Sequence, residues 1–113
     1  LQRFAGSIGL ETLVEVHSAG EIHVALDADA RVIGVNSRDL DTFRIDTPAA
    51  WALLRRVPAD RVAVAESGMA DVGDVRRAAD AGADAVLIGS ALSRADDPLS
   101  LAASLTMVVR DGR

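Results

Sequence analysis

The hydrophobic positions along the chain alternate between two patterns. Short, β-branched apolar runs occupy segments 13–16, 31–35, 62–65 and 85–89, and their length and composition predict strands. These runs lack a regular polar alternation, which is typical of strands that are buried on both faces of a parallel sheet. The pattern therefore predicts four buried parallel strands.

Helical patterns fill the segments between these strands. Apolar residues recur at helical spacing in segments 19–26 and 47–57, and Thr47 with Pro48 reads as a cap followed by a first-turn proline. Segment 71–81 begins with an acidic cap and ends before Gly82, and a last helix is predicted from Asp97 to about Val109. Residues 1–9 resemble the end of an earlier helix. The order predicts an α/β fold of repeated, parallel βα units.

An internal repeat favours a barrel over a doubly wound sheet, and the length of the chain limits how much of a barrel it can form. The segments ADARVIG (28–34) and ADAVLIG (83–89) resemble each other, which indicates a weak internal repeat. A complete (βα)8 barrel needs about 250 residues, whereas this chain has 113. The chain is therefore either a small open sheet or half of a larger barrel, and a start at Leu1 rather than methionine favours the half. We expect one partial domain over residues 1–113.

Composition narrows the classes of function. The net charge of −5 argues against nucleic acid and anionic membrane surfaces as partners, and the apolar runs are too short to span a bilayer. The chain has no cysteine, which excludes thiolate chemistry and fits a cytoplasmic location. Its basic residues are all arginine, so an amine of this chain cannot form a Schiff base.

Polar residues and glycines follow each apolar run, where the ends of parallel strands share one rim. Taken singly, each has a structural explanation as a turn, a cap or a solvent-facing side chain. His17 and His23 lack the spacing of metal ligands, and we interpret both as structural. The convergence of the other polar residues and glycines on one rim nevertheless predicts a site. Its members are Glu15, Asn36, Ser37, Arg38, Glu66, Ser67, Gly68, Gly89 and Ser90.

The residue types in this set indicate two kinds of chemistry. Gly68 and the Gly89–Ser90 pair permit close backbone approach to an anion such as phosphate. The carboxylates of Glu15 and Glu66 are suited to proton transfer or to orienting a cation. The neutral side chains of Asn36 and Ser67 supply hydrogen bonds, and Arg38 is suited to a carboxylate or phosphate.

The segments LVEVH, IGVNSRDLDTF, VAVAESG and DAVLIGSALSRADDP resemble, in order and spacing, the C-terminal half of indole-3-glycerol phosphate synthase. The resemblance covers residues 9–105. It implies a TIM (βα)8 barrel, of which this chain supplies strands five to eight. It also implies ring closure, with loss of carbon dioxide and water, of 1-(2-carboxyphenylamino)-1-deoxyribulose 5-phosphate in tryptophan biosynthesis. The family acts without a metal or redox cofactor.

The resemblance also implies roles for individual residues. Glu15 matches a general base, and Asn36, Glu66 and Ser67 match further residues around the reacting part of the substrate. Arg38 and Leu87 match substrate-binding residues. Backbone donors to the substrate phosphate are matched by Gly68, Gly89 and Ser90.

One departure from the family pattern affects activity. The family's general-acid lysine lies on the other half of the barrel, and this chain has no lysine, so we expect the isolated chain to be inactive. We also expect exposed strand edges to cause self-association, or pairing with the missing N-terminal half. The alternatives are a non-catalytic half-barrel that binds phosphate esters or a partner half, and another phosphate-binding barrel such as a phosphoribosyl isomerase.

Overall fold

The computed structural model describes residues 1–110, and a four-stranded parallel sheet lies at its centre. The strands are β1 (Leu13–Val16), β2 (Val32–Asn36), β3 (Val62–Glu66) and β4 (Ala85–Leu87), and their spatial order follows their order in the chain. Each neighbouring pair is parallel. The predicted parallel βα arrangement is confirmed, and the strand order shows no reversal of the kind that a doubly wound sheet contains.

Within residues 1–110, six helices occupy the segments around the strands. They are α1 (Gln2–Ser7), α2 (Ala19–Asp27), α3 (Thr47–Leu54), α4 (Val72–Asp80), α5 (Ser90–Arg94) and α6 (Pro98–Leu105). Side chains of Ser18, Asp46, Asp71 and Asp97 cap the N-termini of α2, α3, α4 and α6, respectively. The prediction that Thr47 caps α3 was wrong, because Asp46 accepts the capping hydrogen bond from Ala49 N–H.

The helices cover one face of the sheet and form the hydrophobic core with it. Val16, Ile33, Val35, Ala63 and Ala65 on this covered face are almost fully buried. They belong to one cluster with helix residues that include Ile22, Ala25, Ala50, Leu54 and Ala78. This packing fixes the positions of the strands, and therefore of the side chains at their C-terminal ends.

The opposite face of the sheet, which we call the open face, is exposed. Leu13, Val62 and Leu87 on this face are 44%, 42% and 54% exposed. Within residues 1–110, the prediction that the strands are buried on both faces is therefore wrong for this side of the sheet. The unbroken apolar runs arise because both faces are apolar, although helices cover only one. No helix within this range is long and apolar enough to cross a membrane.

Candidate active site

The strand register places several polar side chains on the open face, near the C-terminal ends of the strands. Glu15 on β1 pairs with Gly34 on β2, and Asn36 at the end of β2 pairs with Glu66 at the end of β3. Glu66 in turn pairs with Leu87 on β4. Since residues two apart on a strand share a face, these five residues belong to the same side of the sheet.

The carboxyl group of Glu66 lies above Gly34 and is buried. Glu66 is only 4% exposed, and a Cβ atom added to Gly34 would overlap its Oε1 atom. Within the described residues, this oxygen has no hydrogen-bond donor. Its polar neighbour Glu15 is also a carboxylate, so the two groups can hydrogen-bond only by sharing a proton.

Burial, together with a hydrogen bond and charge repulsion from the neighbouring carboxylate of Glu15, raises the pKa of Glu66 to about 7. These are the two physical effects that keep a carboxylic acid protonated near neutral pH. Glu66 can therefore hold or release a proton in the range where most enzymes work. This property distinguishes Glu66 from a residue that only ends a strand.

Asn36 and Arg38 begin a hairpin that extends from β2 to α3. The Asn36 side chain accepts a hydrogen bond from Arg38 N–H at 2.9 Å. This contact is typical of an asparagine in a turn, which is the structural explanation that the sequence leaves open for Asn36. Arg38 pairs with Ile45 across the hairpin, and its guanidinium donates to the Phe43 carbonyl at 3.4 Å. Asp39 accepts hydrogen bonds from the backbone of the hairpin at Thr42 and Asp41.

A groove at the ends of β3 and β4 brings together most of the predicted site. This strand-end groove has a volume of about 650 Å³ and is open to solvent. Glu15 and Asn36 do not line it, and Asn36 instead lines an adjacent cavity of about 680 Å³ with His17 and Glu21. The predicted residues that do line the groove are Arg38, Glu66, Ser67, Gly68, Leu87, Gly89 and Ser90.

The turn after β3 has a backbone that few residues adopt. Ser67 has φ +63° and Gly68 has φ +72°, both in the left-handed region that favours glycine. A Cβ atom at Gly68 would also lie within 2.9 Å of side-chain atoms of Thr47, Ile45 and Ser37. The turn is therefore tightly enclosed on one side and borders the groove on the other.

The turn after β4 is open by comparison. Gly89 precedes α5 with φ −120° and has no side-chain cap, and a Cβ atom there would meet nothing within 4 Å. Backbone N–H groups in the first turn of a helix lack intrahelical partners and favour anions. Gly89 and Ser90 therefore face the groove with backbone that a ligand can approach.

The structure adds three residues that the sequence did not indicate as part of the site. Gly34 makes room for Glu66, and a glycine inside an apolar strand is a known signal of close approach. Arg94 at the end of α5 lines the groove together with Arg38, although a single arginine in a helix carries no such signal. His17 lies with its Nε2 atom 3.5 Å from Glu15 Oε1, and its position two residues after Glu15 is a signal that could have suggested this contact.

Metal ligation has no structural support in the described part of the chain. No group of three or more His, Cys, Asp or Glu side chains among residues 1–110 is arranged to hold a metal ion. The side chains at the groove are suited instead to an anionic organic ligand, because two arginines and two glycine-containing turns border a buried carboxyl group.

Comparisons with known proteins give a consistent result. The family described as indole-3-glycerol phosphate synthase matches residues 1–105. The indole-3-glycerol phosphate synthase of Exiguobacterium sp. is 45% identical over 101 residues, which cover 89% of this chain and 40% of that protein. The multifunctional tryptophan biosynthesis protein of Schizosaccharomyces pombe is 41% identical over 105 residues, covering 93% of this chain and 14% of that protein.

A solved structure extends the comparison to the fold. The crystal structure of the BexX/CysO complex of Amycolatopsis orientalis matches with a TM-score of 0.74 and 26% sequence identity. The match covers 94% of this chain and 44% of that chain. The chain thus spans well under half the length of the proteins that it matches.

Proposed function

The chain belongs to the indole-3-glycerol phosphate synthase family, and we propose that it forms the C-terminal half, strands five to eight, of a TIM (βα)8 barrel. The sequential strand order and the helices on a single face support a half-barrel, because a barrel has its helices outside and its closed sheet inside. The assignment to the C-terminal half follows the resemblance of the sequence motifs to that half of the family. The open face then corresponds to the barrel interior. Residues 1–113 form one partial domain, to which an N-terminal half is the natural partner.

The proposed activity is that of the family: ring closure of 1-(2-carboxyphenylamino)-1-deoxyribulose 5-phosphate with loss of carbon dioxide and water. The buried Glu66 carboxyl group beside Glu15 is the observation that carries this proposal. A pair of carboxyl groups that shares one proton can supply both an acid and a base. Glu15 is the general base, and Glu66 with Ser67 contacts the reacting part of the substrate.

The rest of the proposed site binds the substrate. Backbone groups of Gly68, Gly89 and Ser90 receive the phosphate in the strand-end groove, where the open turn before α5 supports their role. Leu87 contacts the aromatic ring, and Arg38 with Asn36 contacts polar groups of the substrate. No metal or redox cofactor has a part in this proposal, since the reaction consists of proton transfers, formation of one carbon–carbon bond, and loss of carbon dioxide and water, with no external oxidant or reductant.

A chimera tests the activity. This chain replaces the matching 101 residues of the Exiguobacterium synthase, and formation of indole-3-glycerol phosphate is measured. We expect the 113-residue chain alone to be inactive, because it has no lysine to act as general acid, and we expect the chimera to be active. Glu66→Gln in the chimera should lower kcat by about 100-fold or more, as loss of an acid–base group does.

Glu11→Gln is the matched control, because Glu11 is an exposed residue outside the strands. It should leave kcat unchanged. A folded chimera that binds the substrate without forming product contradicts the proposed activity.

A second candidate is a half-barrel that binds phosphate esters without catalysis. The strand-end groove favours it, because the three candidate phosphate-binding residues Gly68, Gly89 and Ser90 all line this groove. Calorimetric titration of the isolated chain with a sugar phosphate separates the two candidates when combined with the activity of the chimera. Binding by the chain together with an inactive chimera supports this second candidate.

Self-association of the isolated chain is part of the same proposal. In the described sheet, β1 and β4 each pair with a single strand, so each has one free edge. Together with the apolar side chains of the open face, these edges favour contact with a second copy or with the N-terminal half. Sedimentation velocity should show species larger than a monomer as concentration rises, and a single monomer peak contradicts it.

A further inference from the structure

His17 lies between two carboxylates at the point where β1 leads into α2. Its Nε2 atom is 3.5 Å from Glu15 Oε1, and its Nδ1 atom is 3.8 Å from Glu21 Oε2. The Nε2 atom is sealed from solvent and makes no hydrogen bond within residues 1–110. A shift of about 0.5 Å would bring it within hydrogen-bond distance of Glu15.

Backbone hydrogen bonds hold Glu21, the carboxylate on the α2 side of His17, in place. Glu21 accepts a hydrogen bond from the backbone N–H of His17, and Ser18 caps α2 by accepting one from the backbone N–H of Glu21 at 3.2 Å. Glu21 is thereby tied to the start of the helix, and the imidazole ring rests against it. A third carboxylate, Asp39 on the hairpin, lines the same cavity as His17 and Glu21.

Glu15 has the Glu66 carboxyl group as a neighbour, but that group can hold it only while the two share a proton. Its side chain is 39% exposed, and it lies on a strand at the free edge of the sheet. A long, partly exposed carboxylate samples several rotamers unless a partner selects one. His17, one residue beyond the end of β1, is a second partner, because an imidazole can donate a hydrogen bond to a carboxylate.

We propose that His17 is a positioning residue for Glu15, which it links to the fixed Glu21 on α2 and holds in one rotamer over the open face. This inference rests on the proposed function, in which Glu15 is the general base. A base displaced by about 1 Å loses much of its effect on rate. Glu21, His17 and Glu15 therefore form one bridge from the start of a helix to the reacting part of the site.

Imidazole nitrogen signals test the bridge without any need for activity. His17 and His23 are the two histidines of the chain. His23 is exposed, and its Nδ1 atom lies 2.7 Å from the Ala19 carbonyl oxygen of its own helix, so it serves as an internal control. In ¹⁵N spectra of the chain, Glu15→Gln should shift the Nε2 signal of His17, and Glu21→Gln should shift its Nδ1 signal. The His23 signals should stay unchanged. A His17 Nε2 signal that does not respond to Glu15→Gln overturns the proposal.

The chimera tests the consequence for catalysis. His17→Leu should lower kcat by about 10-fold with KM unchanged, because only the base is misplaced. His17→Gln, whose amide N–H can take the place of Nε2–H, should recover most of that loss, and His23→Leu should match the parent. Equal losses in both His17 variants, or none in either, overturn the positioning role. An inactive parent chimera contradicts the proposed function alone, and the nitrogen signals then decide the bridge.

Discussion

The two faces of the sheet differ in what their residues do. On the covered face, side chains such as Ile33 and Val35 have no exposed surface and pack against the helices. On the open face, Leu13, Val62 and Leu87 remain about half exposed beside the carboxyl groups of Glu15 and Glu66. One set of strands thus carries the core on one side and the candidate site residues, with partly exposed apolar side chains, on the other.

Within the same strands, residues of the covered face contribute to stability and residues of the open face contribute to the candidate site. Adjacent positions on β3 illustrate it, since the Ala65 side chain belongs to the core whereas Glu66 places a titratable carboxyl group on the open face. Loss of an apolar side chain should therefore affect folding more on the covered face than on the open face. Three substitution pairs test this expectation, from the largest effect to the smallest.

The first pair compares one apolar side chain from each face. Ile33→Ala should lower the free energy of unfolding by about 2 to 5 kcal/mol, because it leaves a cavity among fully buried side chains. Leu87→Ala should change it by about 0.5 kcal/mol or less, since Leu87 is 54% exposed. Urea denaturation of the chain measures both. Equal losses would mean that the open face is covered in solution.

The second pair compares the two glycine turns at the strand ends. Gly68→Ala should cost about 2 to 3 kcal/mol, because alanine disfavours a positive φ and its Cβ atom would collide with Thr47 and Ile45. Gly89→Ala should be close to neutral, since its φ is negative and the space around it is open. Thermal unfolding compares the two variants. A neutral Gly68→Ala would show that the turn after β3 is not enclosed.

The third substitution concerns the pH dependence of stability. The pKa of Glu66 is raised in the folded chain to about 7, so the folded state binds the proton more tightly than the unfolded state does. Stability should therefore fall as pH rises from the ordinary glutamate range through about 7, and Glu66→Gln should remove this decline. At about pH 8.5 the variant should be more stable than the parent by about 1 to 2 kcal/mol.

Glu11→Gln serves as the control for that profile, because Glu11 is exposed. Its stability should follow the parent across the pH range. A parent profile that stays flat between about pH 5 and 8 would contradict the raised pKa of Glu66.

The sequence predicted the strands and the main helices because their apolar residues repeat at clear spacings. The helix at 71–81 was recognised from its acidic cap and Gly82, and the structure shows α4 between Asp71 and Gly82. In contrast, α5 was not predicted, because five residues are too few to show a helical period. The helices α3 and α6 end at Leu54 and Leu105, earlier than predicted, since apolar residues continue beyond each.

The sequence also indicated which residues converge, but not how they interact. Polar residues after apolar runs predicted one rim, and the groove brings most of them together. The proximity of Glu66 to Glu15 depends on the empty position at Gly34 on the strand between them, which only the register reveals. The contact of His17 with Glu15 depends likewise on a side-chain direction, which spacing alone does not fix.

The Glu66 carboxyl group lies directly against Gly34, and this contact limits which sequence changes the site can accept during evolution. A side chain at position 34 would need the space that the Glu66 carboxyl group fills. The two positions are therefore epistatic: the effect of a change at one depends on which residue stands at the other. A lineage that replaced Gly34 would first have to shorten or redirect the acid on β3, so the glycine constrains which mutational routes lead away from this site.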